Sequence, residues 1–425
     1  MNCVEVKNKL YNNELDQELC SIYGDEKLLT YQKNRYVDAL CKFEKYYGEG
    51  DIAVFSAPGR SEIGGNHTDH QHGEVLAAAI NLDAIAIVRK TADKVVRVRS
   101  GEYPEVVITL EDISLKTEEK ETTLSLVKGV LAGFVERGFH IGGFDAYITS
   151  DVLIGAGLSS SAAFETLIGT ILSGLYNEMS VSPIAVAQIG QYAENVYFGK
   201  PCGLMDQMAS SVGNLVHIDF KNPQEPVVEK VDCDIEKLGY SLCITDTKGS
   251  HADLTHEYAA VPEEMKAVAS YFGKEVLQTI TVEDILSNID AIRKKVGDRS
   301  VLRALHFINE NKRVEREVDA LKKDDICKFL KAVKESGDSS YKYLQNVYAN
   351  SDVEHQNVSL ALAISEMFLS ENGVCRVHGG GFAGTIQAFV KTEYVCDYKM
   401  NMNRIFGENA CQDLKIRKYG GIQIV

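Results

Sequence analysis

Apolar residues recur along this chain in two rhythms. Phe164, Leu167, Ile168, Ile171, Leu172 and Leu175 return at helical spacing, which predicts a helix with one buried face. Short β-rich runs predict strands at Ala84-Ile-Ala-Ile-Val88, Val95-Val-Arg-Val98, Val106-Val-Ile-Thr-Leu110, Phe144-Asp-Ala-Tyr-Ile148, Leu215-Val-His-Ile-Asp-Phe220 and Leu242-Cys-Ile-Thr245. Residues 1 to about 50 read as helical and charged, with Tyr23 and Leu28-Leu29 as apolar anchors. Further helices are expected from about Thr123 to Arg137 and from about Glu354 to Glu371, the latter capped by Gly373. Another opens at Ser182 as N-cap with Pro183 in the first helical position, and Gly199 with Pro201 closes it. The polar, proline-bearing loop Lys221-Asn-Pro-Gln-Glu-Pro226 separates two halves, 1–220 and 221–425, of an α/β (α+β) mixture.

Composition narrows the class. At 425 residues the chain exceeds one ordinary core, which fits two domains. A net charge of −16 argues against nucleic acid and anionic membranes as partners. The ten cysteines include no C-x-x-C pair, so neither a disulfide scaffold nor a zinc knuckle is suggested. The N-terminus lacks a signal-type apolar core, and no apolar run nears the ~18 residues of a membrane span. A cytoplasmic location is the expectation, and the sequence carries no mark of an oligomeric state.

The stretch from Gly155 through Ala156, Gly157, Leu158, Ser159 and Ser160 to Ser161 is a Gly/Ser loop running into the predicted helix. Glycines let the backbone approach a ligand, and a helix N-terminus offers N–H groups and partial positive charge, so the loop reads as a phosphate site. It lacks the Gly-Lys-Ser/Thr of a Walker A loop, and Ser160 stands where a Rossmann fingerprint has its third glycine. Three more segments carry chemistry: Ala57-Pro-Gly-Arg-Ser-Glu-Ile-Gly-Gly-Asn-His-Thr-Asp-His-Gln-His-Gly73, Gly199-Lys-Pro-Cys-Gly-Leu-Met-Asp-Gln207 and Val377-His-Gly-Gly-Gly-Phe-Ala-Gly384.

In this order the four segments resemble the galactokinase branch of the GHMP small-molecule kinases. That family carries Gly-Arg-x-Asn-x-Ile-Gly-Glu-His-Thr-Asp-Tyr, then Gly-Leu-Ser-Ser-Ser-Ala, then Cys-Gly-x-Met-Asp-Gln, then Gly-Gly-Gly-Phe-Gly-Gly. The resemblance spans about residues 50 to 390. It implies the two-domain GHMP fold with the active site in the interdomain cleft, ATP and Mg²⁺ as cofactors, and phosphorylation of a sugar at its anomeric hydroxyl. Asp206 then corresponds to the catalytic aspartate, with Arg60 beside the phosphates and the reacting hydroxyl. Asn66, His67, Thr68, Asp69, Gly203 and Tyr258 correspond to the sugar site. Ser161 and Glu194, twelve residues before Asp206, correspond to the Mg²⁺ ligands.

Several positions depart from the family. The motif's asparagine is Glu62, its isoleucine is Gly64, its glutamate is Asn66 and its final tyrosine is His70. The last glycine loop has His378 for threonine and Ala383 for glycine. Galactose is the leading substrate. The alternatives are galacturonate or N-acetylgalactosamine, a catalytically silent sugar sensor, and a metal-dependent hydrolase built on His67, Asp69, His70 and His72.

Overall fold

A computed structural model describes residues 1–152, 157–249 and 254–425. Three helices open the chain: α1 (Cys3–Tyr11), α2 (Asp16–Tyr23) and α3 (Leu29–Tyr47). α1 begins at a capping box in which Asn2 and Glu5 each satisfy the other's backbone N–H at 2.9 Å. Then come β1 (Ala53–Gly64), β2 (Glu74–Lys90), β3 (Val95–Ser100), β4 (Val106–Thr109), α4 (Thr123–Glu136), β5 (Phe144–Ser150), α5 (Ser160–Asn177), α6 (Pro183–Tyr192), α7 (Met205–Val212), β6 (Leu215–Asp219) and β7 (Val227–Val231). The second half holds β8 (Tyr240–Asp246), α8 (Thr255–Tyr271), α9 (Val282–Ser287), α10 (Ile289–Val296), α11 (Asp298–Lys322), α12 (Ile326–Ser339), α13 (Asn357–Leu369), β9 (Gly373–Val377), β10 (Thr385–Lys391), α14 (Val395–Phe406), β11 (Cys411–Leu414) and β12 (Ile422–Gln423).

The strands form two sheets. The first runs β12-β1-β2-β5-β3-β4, with β6 and β7 continuing beside the start of β2; the second runs β11-β8-β10-β9. Two strands beyond residue 220, β7 and β12, therefore belong to the first sheet. Side chains alternate across β1 and β2. Phe55, Ala57, Ala84, Ala86 and Val88 pack on Val130, Phe134, Leu167 and Ile171 of α4 and α5. Val54, Ile85 and Ile87 face the other way, onto Leu19, Tyr36, Leu40 and Phe43 of α2 and α3. Each large side chain so buried contributes ~1.5–3 kcal/mol. Further along the same hairpin, Ile63, Leu76 and Ala78 enter a second core with Val314, Val318 and Leu321 of α11, Phe329 and Phe389. Arg60 lies on β1 between the two cores, at the seam of the halves.

Helix ends differ from expectation in two places. The helix expected to reach Glu371 ends at Leu369, with Ser370 as its C-cap at φ 48°. Gly373 instead begins β9, where a Cβ would overlap the carbonyl of Phe389 on β10. α6 starts as expected, with the Ser182 hydroxyl accepting from Ala185 N–H, but passes after Tyr192 into a π-helical turn, Ala193–Phe198. Gly199 then closes it at φ 88°. Among the described residues no helix is long and apolar enough to cross a membrane.

Candidate active site

β1 delivers Arg60 to the seam, and the first turn of α7 delivers Asp206. Arg60 Nε donates to Asp206 Oδ1 at 2.6 Å and the second guanidinium nitrogen donates to Oδ2 at 2.7 Å. Such a bidentate charged pair fixes orientation as well as distance. The third nitrogen donates to the Gly157 carbonyl, and Ser159 Oγ donates to Asp206. Burial acts to raise the Asp206 carboxyl. The Arg60 charge and these hydrogen bonds outweigh it and hold the group below the usual carboxylate range.

The described part of the phosphate loop is shaped by left-handed residues, Gly157 at φ 68° and Ser159 at φ 55°. Ser159 is the N-cap of α5, yet its side chain makes no cap hydrogen bond because the hydroxyl is turned to Asp206. Among the described residues the first-turn N–H groups of α5 therefore have no side-chain cap, as an anion site requires. Leu158 could meet a nucleotide only through its backbone. Its side chain is buried in the seam core and its carbonyl accepts from Arg60 N–H at 3.2 Å. Ser160 opens α5 beside Ser161. Gly155 and Ala156 lie outside the described residues.

Ser161 Oγ donates to Glu194 Oε1 at 3.3 Å. Glu194 is carried by the π turn, a feature that re-aims side chains at functional sites. Lys200 approaches the same oxygen at 3.3 Å, and Gln207 Nε2 donates to Glu194 Oε2 at 2.8 Å. The Ser161 hydroxyl and the Glu194 carboxylate converge from α5 and the π turn. Hard oxygens in this small number fit Mg²⁺, which keeps much of its water. Gln207 also donates to Glu165 at 3.0 Å. Burial, then the charge of Glu194, pushes the Glu165 carboxyl well up.

The turn after β1 divides the expected sugar residues into two groups. Asp69 and Gly203 meet: a Cβ on Gly203 would overlap Asp69 Oδ2. Burial, then the charge of Asp206, raises the Asp69 carboxyl to about 6. His67, at φ 59°, donates from Nε2 to the Gly380 carbonyl at 3.0 Å; burial lowers its pKa to about 4, so the ring is neutral. Tyr258 on α8 donates to the Gly381 carbonyl at 2.8 Å and lays its ring against Gly380. These residues line the seam with the last glycine loop.

Asn66 and Thr68 are turned inward, contrary to their assignment to the sugar, and both are fully buried. Asn66 Nδ2 donates to Glu62 Oε1 at 3.0 Å and to the Gly379 carbonyl at 2.7 Å. Its Oδ1 accepts from Ser340 at 3.1 Å and from Asn346 at 2.8 Å. That satisfies every polar valence of an amide. Thr68 Oγ1 lies 2.8 Å from the Gly65 carbonyl and 2.6 Å from the Glu74 carbonyl, sharing its one proton between them and pinning the turn.

Beneath these residues lies a buried ionic layer that the motifs did not disclose. Arg376 on β9 donates to Glu62 at 2.7 Å and to the Ile63 carbonyl at 2.8 Å. Glu310 on α11 receives Gly65 N–H at 3.2 Å and Arg313 at 2.6 Å. Glu317 fills the space over Gly64, where a Cβ would overlap its carboxyl. His378 receives Glu62 N–H on Nε2 at 3.2 Å and so bears its proton on Nδ1, which donates to Thr385 Oγ1 at 2.9 Å. Gly157 rests on this His378–Thr385 pair, so the last glycine loop touches the phosphate loop. The one signal in the sequence was that Glu62, Gly64 and His378 depart from the family pattern. Among the described residues no group of three His, Cys, Asp or Glu is arranged to hold a metal ion.

The galactokinase galactose-binding signature matches residues 41–90, and the GHMP kinase N-terminal domain matches residues 125–214. A galactokinase of Clostridium tetani is 30% identical over 89% of this chain and 96% of its own. One of Glaesserella parasuis is 32% identical over 83% of this chain and 89% of its own. In fold, the chain is similar to Lactococcus lactis galactokinase solved with galactose, at TM-score 0.75 and 24% identity over 90% of this chain and 97% of that one. It is also similar to a mevalonate kinase at TM-score 0.60 and 16% identity, over 86% of this chain and 99% of that one.

Proposed function

Because the chain belongs to the galactokinase family of GHMP kinases, we propose that it transfers the γ-phosphoryl group of ATP to the anomeric C1 hydroxyl of galactose, giving galactose 1-phosphate and ADP. The observation that carries this reading is the Arg60–Asp206 pair at the mouth of the phosphate loop. Asp206 is ionised yet its side chain is 31% exposed, so a carboxylate oxygen is available to a ligand hydroxyl. It takes the C1 hydroxyl proton as the O1–phosphorus bond forms and the bond to the ADP oxygen breaks. Arg60 and the first turn of α5 face the negative charge of the transferring group. Asp69 and His67 supply an acceptor and a neutral imidazole to the sugar hydroxyls, and Tyr258 backs the glycine loop behind them. Mg²⁺, held by Ser161 and Glu194, would neutralise the nucleotide phosphates.

The test is ADP release over galactose, galacturonate, N-acetylgalactosamine, glucose and arabinose, with and without Mg²⁺. The highest kcat/KM on galactose supports the reading. A much higher value on galacturonate replaces the sugar and leaves the chemistry standing. Absence of ADP release with every sugar removes the kinase assignment.

A further inference from the structure

The stem of the phosphate loop is held from outside the catalytic seam. Asp151 directly follows β5 and leads into the loop. Tyr31 of α3 donates to its Oδ1 at 3.0 Å, and Arg35 of α3 reaches its Oδ2 at 3.1 Å. Arg35 is itself fixed: it donates to Asp83 Oδ1 at 2.6 Å and to the Asp83 carbonyl at 2.7 Å. Asp151 N–H closes the arrangement by donating to that same carbonyl at 2.9 Å. The next residue, Val152, packs on Gly59 of β1, and the far stem of the loop rests there too: a Cβ on Gly59 would stand 2.8 Å from the Leu158 carbonyl and 3.0 Å from Val152. Gly59 is the residue before Arg60. Both stems thus register on the strand that carries the guanidinium, and α3 fixes one of them.

Tyr31 and Arg35 precede residue 41, where the match to the galactose-binding signature begins. We infer that Tyr31 and Arg35 are positioning residues for the nucleotide, acting through Asp151 to hold the phosphate loop in register with Arg60. This rests on the kinase reading above. The ion pair is partly screened at Asp151, whose side chain is 18% exposed, but Arg35 is 6% exposed and cannot swing away from Asp83. The latch therefore has one stiff side, and its effect falls on the loop.

Asp151→Asn keeps an oxygen for Tyr31 and leaves the Arg35–Asp83 pair intact, while removing the charge that faces Arg35. Tyr31→Phe removes the other contact from an exposed ring. KM for ATP and for galactose, kcat and thermal stability are measured for both variants of the full chain. The expected result is a five- to twentyfold rise in KM for ATP in Asp151→Asn, a smaller rise in Tyr31→Phe, and a galactose KM within about twofold of wild type. An unchanged ATP KM in both variants overturns the inference, as does an equal rise in both KM values accompanied by a fall in stability. Wild-type turnover on galactose reads the kinase assignment separately, so failure of the latch and failure of the reaction are told apart.

Discussion

Gly203 and Asp69 are in such close contact that no side chain fits between them. Gly203→Ala should push Asp69 from its place and raise KM for galactose about tenfold or more, an effect of ~1.4 kcal/mol. KM for ATP should stay within about twofold. Steady-state kinetics with each substrate varied in turn checks this, and an unchanged galactose KM would remove Asp69 from the sugar site.

Asp206→Asn keeps the shape of the side chain but cannot take up the hydroxyl proton. Turnover should fall by about two to four orders of magnitude, the scale of a positioned base. The fold should survive, since Arg60 can still donate to the amide oxygen and to Gly157. Circular dichroism and ADP release together decide it, with turnover near wild type counting against the assignment.

Asn66→Glu should destabilise the protein rather than retune its sugar preference. The new carboxylate cannot donate to Glu62 or to the Gly379 carbonyl, and it sets two acids side by side. The expected loss is about 2 kcal/mol or more. The family motif has the amide at position 62 and the acid at 66; this chain exchanges them and joins them by a hydrogen bond. Glu62→Asn added to Asn66→Glu should therefore recover much of the loss in urea unfolding. Additive losses in the double variant would show that the two residues are not coupled.

Asp69, with its carboxyl near 6, gives activity and stability opposite responses to pH. Below about pH 6 it gains a proton and loses an acceptor, so galactose KM should rise between pH 7 and pH 5. Because its folded pKa is raised above the unfolded value, its contribution to stability is fully present at low pH and is lost as pH rises through about 6. Asp69→Asn should show a high galactose KM with little pH dependence over that range. A wild-type galactose KM that is flat from pH 7 to pH 5 contradicts this.

The residues we assign to the reaction were legible because Arg60, Ser159, Ser161 and Asp206 stand in motifs whose order survives in the chain, and Glu194 lies at a fixed spacing of twelve residues before Asp206. Direction was less legible than identity. Asn66 and Thr68 sit in the sugar motif, but the turn that follows Gly65 is pinned by Thr68 and bent by His67 at positive φ, which sends Asn66 inward. The ionic layer left almost no trace. Glu310 and Arg376 are single charges on an amphipathic helix and a strand, and only folding over more than two hundred residues of chain brings them beneath β1. The end of α13 was misplaced for a related reason: Gly373 answers to the neighbouring strand, not to the helix before it.

Asp83 also ties the two halves of the chain together. The carboxylate is buried and accepts from Arg35, Tyr23 and Ser56, all near it in the first half, and from Arg417 at 2.8 Å. At one edge of β1, Phe55 pairs with Gln423 and Ser56 with Ile422 of β12. Without Arg417 and β12, the first half would hold an under-neutralised buried charge and an open strand edge, both of which favour misassociation. The strand bearing Arg60 is thus completed by segments far along the chain, and the catalytic seam depends on both halves folding together.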